Sequence, residues 1–266
     1  MGKHKLNGKV AIITGSSKGI GKAVAITLGK KGVNIVVNGR NLEKLNNTRD
    51  ELANMGLSVI AVQGDVSKYA DCQKLVATAI QEFKQIDILI NNAGIAMEGK
   101  IEETAPEVFN KVLDTNILGV LYPTKVALPY IKNSKGSIVF TGSIAGLMGL
   151  PGYAAYSISK MALTALAQSL KIELKGTGVH IGINYVGFAE NDKDKTFINA
   201  NGNVETMPLR ENFKRMPIDK VAAIIVSGIE KRRYKQTLSL LGKLTLYTQR
   251  YFPGIFEHLL LYKYKP

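Results

Sequence analysis

The sequence predicts an α/β protein: a doubly wound, parallel seven-stranded sheet with helices on both faces. Seven short β-branched runs, at 9–14, 34–38, 58–63, 86–90, 137–141, 179–185 and 236–241, alternate with longer stretches of helical periodicity. The runs are apolar on both faces instead of alternating, as strands covered on both sides by helices are. The first run ends in a glycine-rich turn that leads straight into a helical pattern, the arrangement found at the ligand-binding edge of such sheets.

One domain accommodates the 266 residues. No linker or repeat interrupts the pattern, so 1–241 forms the body and 242–266 an extension of the same domain. With 45% apolar and 21% charged residues, the composition indicates neither disorder nor a multi-span membrane protein. The lone Cys72 cannot form an internal disulfide, and no neighbouring Cys or His suggests a metal site, so no metal is expected. The opening MGKHKLNGKVAIITG contains no apolar stretch and cleavage site of the secretory kind, which predicts a cytoplasmic location. A formal net charge of +14 suits a nucleic-acid binder, a protein drawn to anionic membrane, or a basic enzyme with an anionic cofactor. No helix-turn-helix, zinc-finger spacing or aromatic-basic signature accompanies the charge, which places nucleic acid last.

The first strand runs into Thr14-Gly15-Ser16-Ser17-Lys18-Gly19-Ile20-Gly21, with a helix beginning near Lys22. Gly15 permits a tight turn, Gly19 lets a pyrophosphate approach the backbone, and Gly21 lets the helix pack on its strand. The helix amino end offers N–H groups to phosphate, and Ser17, Lys18 and Ile20 complete the candidate nucleotide loop. After the second strand, where an acid would bind ribose hydroxyls, the chain has Asn38-Gly39-Arg40-Asn41. Arg40 with Lys18 could clasp a 2′-phosphate, pointing to NADP(H) with NAD(H) as the lesser option; alternatively Arg40 is a solvated charge opening the next helix. Asp65 and Val66 follow the third strand, and Asn91, Asn92, Ala93 and Gly94 the fourth, all at ligand-binding strand ends. Asp65 could accept from an adenine amino group, whereas Asn91 could equally cross-link strands by side-chain hydrogen bonds.

Ser143 ends the fifth strand region, and Tyr156 and Lys160 stand four apart at the start of a helical pattern reaching Leu174. That spacing puts phenol and ammonium on one face, where the charge would lower the phenol pKa and fit it for acid–base work. Ser143 would hold a substrate oxygen. Tyr-x-x-x-Lys alone is also an ordinary solvated pair; the glycine loop upstream and Ser143 thirteen residues earlier make the conjunction specific.

On the 14–21 loop, Asp65, 91–94, Asn116, Ser143, Tyr156 and Lys160, the chain resembles the short-chain dehydrogenase/reductase family up to about Leu241. The resemblance implies a Rossmann-type fold and hydride transfer between a nicotinamide and a carbonyl or alcohol. It also implies that Asn116 sits at a helix distortion and holds a water that relays protons from Lys160. Gly187 and Asn191 match the cofactor-contacting segment after the sixth strand, except that Val186 replaces the family's proline and Asn191 its threonine. Val186 restores an N–H, and the Asn191 amide can still hydrogen-bond, so cofactor binding is expected to survive.

The polar loop 187–216 reads as a mobile cover for a site. In the tail, Leu244, Tyr247 and Tyr251 recur at helical spacing, and an apolar run follows Pro253-Gly254, with Lys243, Arg250, Lys263 and Lys265 around them. It is too short to span a bilayer. Packing on its own domain near the active site, or a subunit interface, ranks ahead of contact with an anionic membrane. The expected partners are thus a small carbonyl or alcohol substrate of lipophilic character, ketoacyl, ketosphinganine or steroid-like, and further copies of the chain as a dimer or tetramer. A non-catalytic NADP(H)-binding regulator, or a membrane-adhering protein on the same fold, is the alternative.

Overall fold

In the computed structural model, which describes residues 4–190, 195–207 and 215–263, the seven expected strand regions form one parallel sheet. In chain order the elements are β1 (Val10–Ile13), α1 (Gly19–Gly29), β2 (Asn34–Gly39), α2 (Leu42–Asn54), β3 (Val59–Gln63), α3 (Tyr69–Phe83), β4 (Ile88–Asn91), β5 (Ala96–Met97) and α4 (Pro106–Leu113). A π-helical turn (Asp114–Leu118) leads into α5 (Gly119–Ser134), β6 (Ser137–Ser143) and, after a 3-10 turn (Ile144–Gly146), α6 (Ala154–Glu173). Then come β7 (His180–Val186), β8 (Thr196–Ile198), β9 (Val204–Thr206), α7 (Ile218–Glu230), β10 (Lys235–Thr237), α8 (Leu240–Tyr251) and α9 (Pro253–Lys263). The sheet order is β10-β7-β6-β4-β1-β2-β3, so the strand order reverses between β1 and β4.

Both faces of β1 are buried because its side chains alternate between two cores. Ala11 and Ile13 join α1, α2 and α7 on one side, while Val10 and Ile12 join α3, α5 and α6 on the other. Each fully buried aliphatic side chain contributes about 1.5–3 kcal/mol relative to exposure. This double burial is what the unalternating apolar runs of the sequence encode.

Three expectations are corrected. The first helix starts at Gly19, three residues before the expected Lys22, so the glycine turn is tighter than the sequence suggests. The last strand, expected over 236–241, ends at Thr237, because the Ser239 hydroxyl accepts a hydrogen bond from Gly242 N at 3.0 Å and caps α8. Part of the 187–216 loop is ordered: β8 runs parallel to β5 and antiparallel to β9 in a separate three-stranded sheet.

His180 at the start of β7 is a buried structural link. Its Nδ1 lies 3.2 Å from Ser137 Oγ and its Nε2 lies 3.1 Å from the Arg233 carbonyl, joining β6, β7 and the approach to β10. Burial pushes its pKa down to about 4; the nearby Arg232 and His4 charges act in the same direction, and the Arg233 carbonyl opposes them. The unfolded chain, with an ordinary imidazole near 6.5, therefore binds more protons between these values, and stability falls as pH drops through that window. Urea unfolding midpoints should decline from pH 6.5 to 4, and His180→Gln should flatten that decline at a cost of about 1–2 kcal/mol at neutral pH. An unchanged pH slope in His180→Gln would refute the assignment.

Candidate active site

A cleft of about 510 Å³ opens along the carboxyl ends of the strands at the β1/β4 reversal, the position where open parallel sheets bind ligands. One end is walled by the glycine turn, Arg40, Asp65 and Val66, and the other by Ser143, Tyr156 and Lys160.

Gly15 has φ +60, and a Cβ there would lie 2.7 Å from Ala93 Cα. A Cβ at Gly21 would lie 2.5 Å from Asn92 Nδ2 and 2.6 Å from the Gly15 carbonyl, so β1, α1 and the segment after β4 meet with no room for a side chain. Thr14 and Asn92 lock this junction. The Thr14 hydroxyl accepts from Asn92 N and Ala93 N at 3.0 Å each, and Asn92 Nδ2 donates to the carbonyls of Thr14 (3.1 Å) and Gly15 (2.9 Å). Gly19 and Ile20, in the first turn of α1, line the cleft, and no side chain caps that helix. Its amino end therefore fits a phosphate, by its N–H groups and its dipole. Ser17 lies over the end of β2, where Thr48 Oγ1 holds its carbonyl at 2.9 Å.

Lys18 and Arg40 both line the nucleotide end of the cleft. The Arg40 side chain is 56% exposed, with its guanidinium 4.0 Å from Asp65 Oδ2. Asp65 Oδ1 accepts from Ser67 N (3.0 Å) and Ser67 Oγ (2.8 Å), which leaves Oδ2 as the freer acceptor. Val66 packs against Gly119. Asn91 follows the alternative course: its Nδ2 donates to Thr124 Oγ1 at 2.9 Å, tying β4 to α5, and it is absent from the cleft wall. Gly187 lines the cleft beside Ser239. Asn191 lies outside the described residues.

At the chemical end, α6 carries Tyr156 and Lys160 one turn apart, and β6 ends at Ser143, which lines the same end of the cleft. Tyr156 packs against a small core cluster of Met97, Val108, Val112, Ala155 and Ile198. Lys160 is only 6% exposed and donates to the Thr141 carbonyl at 3.3 Å; its Nζ stands 5.8 Å from the Tyr156 ring centroid. Gly94 belongs here as well, since a Cβ on it would lie 3.3 Å from Lys160 Nζ.

The expected lowering of the phenol pKa is overturned for the chain by itself. Burial raises Tyr156 above its ordinary value, and the nearby Ser143 hydroxyl only opposes this. Burial, and then the Lys195 charge, pushes Lys160 down to about 8. Both groups are thus moved toward their neutral forms, because desolvation here outweighs an ammonium set beside the ring and not on the hydroxyl.

Asn116, fully buried, sits within the π-helical turn. Its Oδ1 accepts from Ile95 N (2.8 Å), and its Nδ2 donates to the Ile95 carbonyl (2.9 Å) and Ser159 Oγ (3.0 Å). Ser159 Oγ in turn donates to the Tyr156 carbonyl at 2.7 Å. Both amide hydrogens are committed, and the side chain pins the segment after β4 to α6. Sequence reasoning missed Tyr153, Lys195, Met207 and Arg215 on the cleft wall, as well as the Thr14 brace. The wall residues come from loops without periodicity. A hydroxyl directly before the glycine turn was the available signal for Thr14.

The family model described as short chain dehydrogenase matches residues 9–200. This chain belongs to the short-chain dehydrogenase family. The short-chain dehydrogenase is 34% identical to 3-dehydrosphinganine reductase of Danio rerio, over 84% of this chain and 68% of that protein. It is also 34% identical to 11-beta-hydroxysteroid dehydrogenase A of Sesamum indicum, over 85% of this chain and 67% of that one. Among solved structures, a short chain dehydrogenase/reductase from Burkholderia phymatum in complex with NAD superposes with a TM-score of 0.83 at 25% identity, covering 95% of this chain and 96% of that chain. The short-chain dehydrogenase is accordingly an oxidoreductase of CH–OH and C=O groups that works with a nicotinamide dinucleotide. The junction at Gly15 sets up its first test: Gly15→Val combines a positive φ with a clash against Ala93 backbone, and should weaken dinucleotide binding roughly tenfold or more by fluorescence titration while costing about 1–3 kcal/mol in stability. Affinity equal to wild type would show that the turn does not shape the site.

Proposed function

We propose that this enzyme uses NADP(H) to interconvert a carbonyl and a secondary alcohol on a lipophilic substrate, with Ser143, Tyr156 and Lys160 at the reacting oxygen. The observation that carries the reading is the gathering of Ser143, Tyr156 and buried Lys160 on one wall, at the far end of a cleft whose other end is a phosphate-fitting helix terminus. A complete proton-handling set at the end of such a cleft disfavours a non-catalytic regulator. Arg40 and Lys18 at the nucleotide end, with Asn38-Gly39-Arg40-Asn41 and no acid at the end of β2, favour a cofactor bearing a 2′-phosphate over NAD(H). Ile95, Leu150, Phe188 and Met207 give the substrate end an apolar wall, and the relatives named for ketosphinganine-type and hydroxysteroid substrates act on lipophilic molecules.

When bound, the nicotinamide supplies hydride to the carbonyl carbon or removes it from the alcohol carbon. Ser143 Oγ holds the substrate oxygen. The Tyr156 hydroxyl, kept protonated at neutral pH by burial, gives its proton to that oxygen in reduction and takes it back in oxidation. The Lys160 ammonium, one helical turn away, stabilises the phenolate left behind, and Asn116 positions both by fastening α6 through Ser159.

The body and tail form a single domain in this reading, and exposed Leu121 and Tyr130 on α5 with Ile158, Met161 and Ile172 on α6 offer a face for a second copy. Tyr156→Phe should lower turnover of a carbonyl substrate by about 10²–10⁴-fold while leaving NADPH affinity unchanged; near-normal turnover would remove the mechanism. Arg40→Ala should weaken NADPH roughly tenfold and leave NADH unaffected, and an equal loss for both nucleotides would remove the 2′-phosphate role. Lys160 is charged below about pH 8 and neutral above it, so kcat/KM for reduction should fall as pH rises through about 8. A flat profile there would take Lys160 out of the reacting set.

A further inference from the structure

The tail divides into a half that packs and a half that does not. On α8, Gly242 and Thr245 are buried and Leu246 packs on the core of the body. The opposite stripe, Leu240, Leu244, Tyr247 and Tyr251, follows a four-three-four spacing along one helical face and is exposed, from 83% at Leu240 to 59% at Leu244. On α9, which packs mainly against α8, Ile255, Leu259 and Tyr262 are likewise exposed. Exposed apolar and aromatic side chains in this number on two adjoining helices are costly in water and call for an occupant.

Charge identifies the occupant. Between 231 and 266 the sequence carries eight Lys or Arg and a single acid, Glu257, so about half of the chain's net positive charge resides in its last 36 residues. Two copies facing each other through this surface would bring like charges together. An anionic surface would be attracted, and tyrosines with basic residues around aliphatic side chains suit the headgroup boundary of a bilayer. No helix among the described residues is long and apolar enough to cross a membrane, which fits helices lying in the interface. We propose that the exposed faces of α8 and α9 dock the enzyme on an anionic lipid bilayer. The root of α8 stands at the cleft wall: a Cβ on Gly242 would lie 2.9 Å from Ile144, and one on Gly187 would lie 2.7 Å from Ser239. Docking therefore places the bilayer against the element that borders the substrate end, although binding to lipid does not depend on which substrate is used.

The test is flotation of the full chain with vesicles of phosphatidylcholine alone and with a third of phosphatidylserine. Binding should occur only to the anionic vesicles and weaken with salt. It should drop by roughly tenfold in Leu244→Ser/Tyr247→Ser/Leu259→Ser and in Lys243→Glu/Arg250→Glu, with NADPH affinity in both variants reporting an intact fold. Failure of the wild-type chain to float with anionic vesicles would overturn the proposal. So would undiminished flotation of both variants, or a loss of oligomer in light scattering of the apolar variant with flotation unchanged, which would assign the face to a second copy.

Discussion

The bracing of the β1 turn against the β4 turn is the constraint on which the site depends. Thr14 and Asn92 exchange hydrogen bonds across the point where the strand order reverses, and the glycines at 15 and 21 remove every Cβ that would keep the two segments apart. This contact sets the width of the crevice and the direction of the α1 amino end. It also fixes where the segment after β4 begins, and with it Gly94 beside Lys160 and Ile95 against Asn116. The nucleotide end and the chemical end of one cleft are thereby held in fixed relation by a junction that is itself part of the nucleotide end.

Desolvation is the second theme. Tyr156 and Lys160 are both shifted toward neutrality by burial, so the chain alone holds a proton on the phenol and holds the ammonium with reduced tenacity. Such a site is responsive: charge brought in by a ligand shifts these equilibria more than it would in water, because the surroundings screen it less. Ser143 is the one partner that pulls the phenol the other way, which gives that hydroxyl an electrostatic as well as a geometric part.

The tail divides its two faces between core and solvent. One face of α8 satisfies the core through Gly242, Thr245 and Leu246, and the other leaves a basic, aromatic stripe outside. Ser239 both caps this helix and closes against Gly187, so the start of the tail and the wall of the cleft are one packed unit.

Much of this molecule was legible in its residues. Unalternating apolar runs announced the two-sided parallel sheet, the glycine turn announced the nucleotide edge, and the spacing of Tyr156 and Lys160 put them on one helical face, because these signals are local and depend on backbone period and sterics. Leu238, Leu240 and Leu241 misled as a strand continuation, since a serine cap outweighs short-range hydrophobicity. Tertiary structure alone decided three matters: that Asn91 turns to Thr124 while Asn92 turns to the glycine turn, that the Asn116 amide is consumed by Ile95 and Ser159, and that the phenol is raised and not lowered. Each depends on groups 21 to 78 residues apart along the chain, or on the water that burial removes, and neither distance in space nor loss of solvent is written in the order of residues.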